Sequence, residues 1–276
     1  MEIRAKRINN IKVKPFLVQD EDDDKPTRAK DLFDVDYHNT YLCAKKKSGK
    51  STVVSQIVRQ TVGPETKIHI FSSTVNSDRT YRQLKKWCKM KRIYWEANTS
   101  IKDDNGIDLI NEIMEEDRNY IQDTDDEEEE KPLDHIQLDQ KQEKIKRKRK
   151  SKYKEIRRIF IFDDLSNEIR NSQSLKKLVK EHRHYKSVIL ISSQYTKDVP
   201  PQVLAQLDYC LLFKNHSDDK LEDLYKTLDL SVDFDKFLNI YKKVTQTKDG
   251  YNFLYIDRAN DTFRMNFDLL LSTSET

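Results

Sequence analysis

The chain has 276 residues, and its charged share of 36% equals its apolar share. Globular chains usually hold roughly 45–50% apolar and about 25% charged residues, so part of this one is expected to be solvated rather than packed. Lys plus Arg total 51 against 48 Asp plus Glu, a net charge of +3, so bulk charge does not single out a nucleic-acid binder. No run approaches the about 18 apolar residues of a membrane span, and the N-terminal MEIRAKRINN has no apolar leader core, so an intracellular protein without a membrane span is expected. The three scattered cysteines, Cys43, Cys88 and Cys210, make neither a disulfide framework nor a metal knuckle and fit a reducing compartment. Only four glycines occur, and none forms a GxGxxG fingerprint.

In chain order, Ile11 to Val18 alternates apolar residues around Pro15 and suggests an edge strand, followed by the acidic loop DEDDD at 20–24. Thr40–Cys43 is a short strand running into KKKSGKST, and 51–62 is a helix stopped by Gly63-Pro64. Lys67–Ser72 is a strand, Arg79–Met90 a helix, and Arg92–Trp95 another short strand. Ile107 to Ile121 carries apolar residues at helical spacing. The pattern then breaks: DTDDEEEE holds seven acids in eight residues, and 141–158 hold eleven Lys or Arg. Such blocks bury too little surface to offset chain entropy and suit a solvated insertion or a charged helix pair.

Order returns with the apolar run Ile159–Asp164, a helix over 172–184, the strands Ser187–Ser192 and Tyr209–Phe213, and one or two helices over 217–246. Tyr251–Ile256 and Thr262–Phe267 read as a hairpin joined at Asn260-Asp261. Short apolar strands alternating with helices mean an α/β fold with a mostly parallel central sheet. The organisation read from this pattern is an N-terminal extension (1–34), a first part of the core (35–122), a charged insertion (123–157) and a second part of the core (158–276).

Ala44-Lys45-Lys46-Lys47-Ser48-Gly49-Lys50-Ser51 fits the phosphate-loop pattern GxxxxGK[ST], with Ala44 in place of the first glycine. Such a loop wraps phosphate with backbone N–H groups, neutralises β/γ charge with Lys50 and coordinates Mg²⁺ with the Ser51 hydroxyl. The nucleotide-binding set is therefore Ala44 through Ser51 with Thr52, and ATP with Mg²⁺ is the expected cofactor pair. Lys45, Lys46 and Lys47 either strengthen the attraction for phosphate or are solvated loop charge. Should position 44 need a positive φ, alanine there costs about 1 kcal/mol relative to glycine.

IFIFDD sets Asp163 and Asp164 at the carboxyl end of a strand, where open α/β sheets bind ligands. Asp163 is assigned to Mg²⁺ and Asp164 to polarising an attacking water. SVILISSQ ends on Gln194, placed to hydrogen-bond the γ-phosphate or the lytic water. Arg183, at the end of a helix before that strand, reads either as an arginine finger acting on a neighbouring copy or as ordinary helix-terminal charge. The basic run KIKRKRKSKYK suggests contact with DNA phosphates, a nuclear import signal, or simply solvated charge.

Together the phosphate loop, IFIFDDL, EHRHYKSVILISSQ and VPPQVLAQLDYCLLFK resemble the genome-packaging ATPases of large DNA viruses, virophages and polinton-type elements, the poxvirus-type branch of the FtsK–HerA superfamily. The resemblance covers about residues 35–215, less the insertion. It implies a RecA/FtsK-like P-loop NTPase core acting as a homo-oligomeric ring. Such a ring hydrolyses ATP to pump double-stranded DNA into a capsid or portal-like vertex. It works in the host cytoplasm or nucleus, or with the virion. It maps Lys50 and Ser51 to the loop pair, Asp163 and Asp164 to the acidic pair and Gln194 to the polar sensor. Two departures stand out: Ala44, and Leu204 with Gln206 where the family commonly has an arginine and an asparagine. These motivate an alternative, a catalytically weakened P-loop protein serving as a structural or assembly factor. A third class, a P-loop kinase, would want a lid with clustered arginines, which the chain does not show in a recognisable place.

Overall fold

A computed structural model describes residues 25–26, 28–129, 153–246 and 251–271. The sequence-predicted strand at 11–18, the acidic loop at 20–24 and residues 130–152 of the insertion lie outside the described residues. Six apolar segments pair as parallel strands: β1 (Asn39–Cys43), β2 (Lys67–Ser72), β3 (Tyr94–Asn98), β4 (Arg158–Asp163), β5 (Ser187–Ser193) and β6 (Tyr209–Phe213). Three antiparallel strands extend the sheet past β6: β7 (Phe253–Asp257), β8 (Thr262–Met265) and β9 (Leu269–Leu271). The order is β3-β2-β4-β5-β1-β6-β7-β8-β9. The expected α/β fold with a mostly parallel sheet is what forms, and β5 lies between β1 and β4.

Every residue of β1, β4, β5 and β6 is buried, as continuous apolar runs in a sheet covered on both faces require. Alternation sorts the side chains. Leu42, Ile68, Ile161 and Leu190 face one layer, with α1 (Lys50–Thr61) and α2 (Arg79–Lys91). Tyr41, Phe71, Phe162 and Ile191 face the other. That second layer is built from α3 (Leu109–Glu129), α4 (Ser166–Asn171), α5 (Gln173–Glu181), α6 (Pro201–Leu204), α7 (Asp218–Leu228) and α8 (Phe234–Thr245). Among the described residues no helix is long and apolar enough to cross a membrane.

Several boundaries differ from the sequence reading. Arg92 is the left-handed cap of α2 (φ 57°), so β3 starts at Tyr94 and runs to Asn98 instead of spanning 92–95. Helix α3 runs without a break to Glu129, through the acidic stretch where the insertion was expected to begin at 123. The helix expected over 172–184 forms as α5 and ends earlier, at Glu181; Ser172 caps it by accepting the Leu175 N–H, and the short α4 before it was not foreseen. The C-terminal hairpin forms as β7 and β8, with Asp261 in the left-handed region at its turn (φ 49°), and β9 adds a strand that was not foreseen.

His38, just before β1, is fully enclosed and shares a 2.8 Å hydrogen bond with Thr40. Burial, helped by the nearby His182, lowers its pKa from 6.5 to about 3. A depressed native pKa means stability is intact above pH 6.5 and is lost as pH falls toward 3, because only the unfolded chain takes up the proton. One such proton is worth about 1.4 kcal/mol per pH unit. Urea unfolding between pH 6.5 and 4.5 should show this slope, and His38→Phe should flatten it by about one proton; an unchanged slope would contradict the assignment.

Candidate functional site

In a parallel sheet whatever follows a strand lies at one edge. The loop after β1, the acids after β4 and the polar tip of β5 therefore share an edge, where the register sets Cys43 opposite Ser193 and Asp163 opposite Ser192. The Ala44 N–H donates to the Ser193 carbonyl at 3.0 Å, tying the loop to β5. Ala44 is fully buried and is not among the left-handed residues; those positions in the loop are Lys47 (φ 62°) and Gly49 (φ 92°). The backbone cost expected from alanine at 44 is thus not incurred. Lys45, Lys46 and Lys47 are exposed, Ser48 is buried, and Thr52 points outward from the first turn of α1. Gly49 caps α1 with no side-chain acceptor; its carbonyl takes the Thr52 and Val53 N–H groups at 3.0 and 3.1 Å, and the positive end of the helix at Lys50 and Ser51 is left for an anion.

Lys50 crosses from α1 to the end of β4. Its Nζ lies 2.8 Å from Asp163 Oδ1 and 2.7 Å from Asp164 Oδ2. Burial alone would lower the ammonium pKa; the two carboxylates outweigh it and raise the pKa, so Lys50 is held as a cation. Asp163 is almost fully buried and accepts from the Tyr81 hydroxyl and from Ser192, each at 2.8 Å. Burial next to Asp163 keeps the Tyr81 phenol well above its ordinary pKa, so it stays a donor. Asp164 is partly exposed and left-handed (φ 52°), a bend that turns its carboxylate back toward Lys50.

The Ser51 hydroxyl donates to Asp78 Oδ2 at 3.4 Å. Asp78 caps α2 by accepting the N–H groups of Thr80 and Tyr81, and so couples the first turns of both helices to the acidic strand. Sequence reasoning missed Asp78, Tyr81 and Ser192. Asp78 carries an N-cap signal before a helical pattern, and two serines ending an apolar strand mark Ser192.

Gln194 follows β5 directly and is half-buried beside the loop, lining a cavity of about 370 Å³ with Cys43, Tyr195 and His216. Arg183 is not brought to the site. It precedes β5 and so lies at the opposite edge, where its guanidinium contacts Asp208 at 3.2 Å. Leu204 is also remote, buried in the crossover from β5 to β6, where the Arg258 guanidinium takes its carbonyl at 3.2 Å.

The arrangement offers uncapped amides, a buried cation, two carboxylates and a hydroxyl on one edge: an anion site beside an all-oxygen donor set suited to a hard divalent cation. The family model described as Poxvirus A32 protein matches residues 118–261, slightly more than half of the chain, including β4 and its acids. An uncharacterized protein 075L of Invertebrate iridescent virus 6 is 27% identical over 103 residues, 37% of this chain and 39% of that relative's length. Among solved structures, the genome packaging NTPase B204 from Sulfolobus turreted icosahedral virus 2, in complex with AMP, matches with a TM-score of 0.54 at 14% identity. That match covers 84% of this chain and 98% of that one. B204 described as the DNA-packaging ATPase from Sulfolobus Turreted Icosahedral Virus gives a TM-score of 0.53 at 14% identity over 84% and 98%. At these identities the structural likeness establishes the fold.

Proposed function

The chain belongs to the Poxvirus A32 protein family, and on that footing we propose that it is a viral genome-packaging ATPase that couples ATP hydrolysis to movement of double-stranded DNA. The observation that carries the reading is the Lys50 ammonium held within 2.8 Å of two carboxylates at the mouth of an uncapped helix. In this reading a polyphosphate takes the place of the carboxylates as partner of Lys50, while the first-turn amides of α1 receive its remaining oxygens. Ser51 and Asp163 would hold Mg²⁺, which neutralises phosphate charge. Asp164, more exposed than Asp163 and bent toward the loop, polarises the attacking water, and Gln194 orients it.

The core is read as 35–122 and 158–276, with α3 carrying the chain into the insertion between them. The working form is a homo-oligomeric ring at a capsid or portal-like vertex, inside the infected cell. Arg183 enters in that ring only, as a group presented to the site of the next copy.

The test is ATPase activity of the purified chain with and without duplex DNA. A translocase is stimulated by DNA; a structural factor is not, and a kinase responds to its acceptor instead. Asp164→Asn keeps the side chain's shape and one oxygen but loses the charge and basicity of the carboxylate. Turnover is expected to fall about 10²–10⁴-fold with ATP affinity retained. Unchanged turnover would remove Asp164 from the reaction.

A further inference from the structure

Tyr251 stands beside the phosphate loop: a β-carbon built on Gly49 would meet Tyr251 Cδ1 at 3.5 Å, so the ring faces the loop at the residue before Lys50 across the space a side chain there would fill. Yet Tyr251 is 71% exposed, while Tyr41, Tyr81, Tyr209 and Tyr255 are buried in the sheet and its layers. The ring's position follows from topology. β7 is antiparallel to β6 and pairs Phe253 with Phe213, so the chain before β7 arrives at the edge where β1 gives way to the loop. That arrival is anchored. Asn266, left-handed at φ 57°, donates its N–H to the Phe253 carbonyl at 3.0 Å and its side-chain amide to Asn252 Oδ1 at 2.9 Å. It also accepts the Phe253 N–H at 3.2 Å. Tyr251 thus stands one residue from a pinned segment, against the loop, with most of its surface facing solvent.

We propose that Tyr251 is the base platform of the nucleotide site, on which the purine of a bound nucleoside triphosphate stacks. The inference rests on the reading of the loop as a phosphate site and adds the part of the ligand that the loop itself does not grip. Phosphates seated on α1 and Lys50 put the base a ribose length away from the loop, and the aromatic surface flanking the loop at Gly49 is this ring. A π-face attracts every base, so the platform favours purines through their larger area and discriminates little between adenine and guanine.

Isothermal titration of the full chain with ATP and, separately, with inorganic tripolyphosphate tests this. Tyr251→Ala should weaken ATP by about 5- to 100-fold, the range for a lost aromatic–base stack. Tripolyphosphate should bind wild type and variant equally. Tyr251→Phe and Tyr251→Trp should hold ATP at the wild-type affinity, and in Tyr251→Trp ATP, but not tripolyphosphate, should quench the new indole. Equal ATP affinity in wild type and Tyr251→Ala overturns the platform while leaving the phosphate site standing. A parallel loss of ATP and tripolyphosphate in Tyr251→Ala also overturns it, since the ring would then only brace the loop. If wild type binds neither compound, the phosphate-site reading fails, and the platform with it.

Discussion

Lys50→Ala is expected to lower ATP turnover by about 10²–10³-fold or more, the cost of removing one preorganised charge aimed at a developing anion. In phosphoryl transfer the protein contributes mainly position and charge, so losing the cation removes the part of the site that cannot be replaced by solvent. Here the loss is compounded. Without Nζ, Asp163 and Asp164 face the incoming phosphates with no cation between them, and both carboxylates then repel the ligand. ATP affinity should therefore fall together with turnover. Asp163 retains Tyr81 and Ser192 as donors, so the variant should still fold, which a thermal melt by circular dichroism would verify. A folded Lys50→Ala with wild-type turnover would reject the nucleotide site.

Arg158→Ala should produce the largest loss of stability. Arg158 opens β4 almost fully buried, and its guanidinium grips Asp117 of α3 through Nε at 2.6 Å and Nη2 at 2.9 Å. Nη1 lies 2.8 Å from His69 Nε2, and His69 Nδ1 lies 2.9 Å from Glu96. Burial lowers the His69 pKa, so its neutral ring accepts from Arg158 and donates to Glu96, whose own pKa is pulled down to about 2 first by that hydrogen bond. The chain of contacts joins α3, β4, β2 and β3. Removing the guanidinium leaves Asp117 buried and unpaired, which costs about 3–5 kcal/mol. For a chain of this size that is a drop in melting temperature on the order of 10 °C. Replacing both partners, Arg158→Met with Asp117→Leu, should recover much of the loss; a single variant as stable as wild type would show that the pair does not hold the layers together.

Arg158 also shows where sequence reading reaches its limit. It is the last of the eleven basic residues in 141–158, and the strand was expected to start one residue later, at Ile159; only the strand that begins at 158 buries it. The central strands were legible because a sheet covered on both faces demands uninterrupted apolar runs, and IFIFDD and SVILIS have no competing interpretation. The acids after β4 and the loop after β1 then share an edge by geometry alone. The same geometry, applied to Arg183, would have placed it at the opposite edge, since it precedes its strand. Asp78 escaped for a different reason: its local role as a helix cap is visible, but its contact with Ser51 exists only once α2 packs beside α1. The short α4 escaped because Ser166–Asn171 holds a single buried apolar residue, Ile169, too few to show a helical period.

The way the site hangs from the sheet decides which parts of it can give. β1, β4 and β5 are interior strands without a solvent-facing residue, so their amides should exchange with deuterium only on global opening. Asp163 is mounted on that rigid block, and Lys50 is tied to it from α1 through its ion pair. Ser51 meets Asp78 through a single hydrogen bond of 3.4 Å, the longest in the cluster, and Asp78 belongs to a helix on the outer layer. Lys50 is thus bound to the sheet more tightly than Ser51 is to Asp78, and amides around Ser51 should exchange faster than those of β1, β4 and β5.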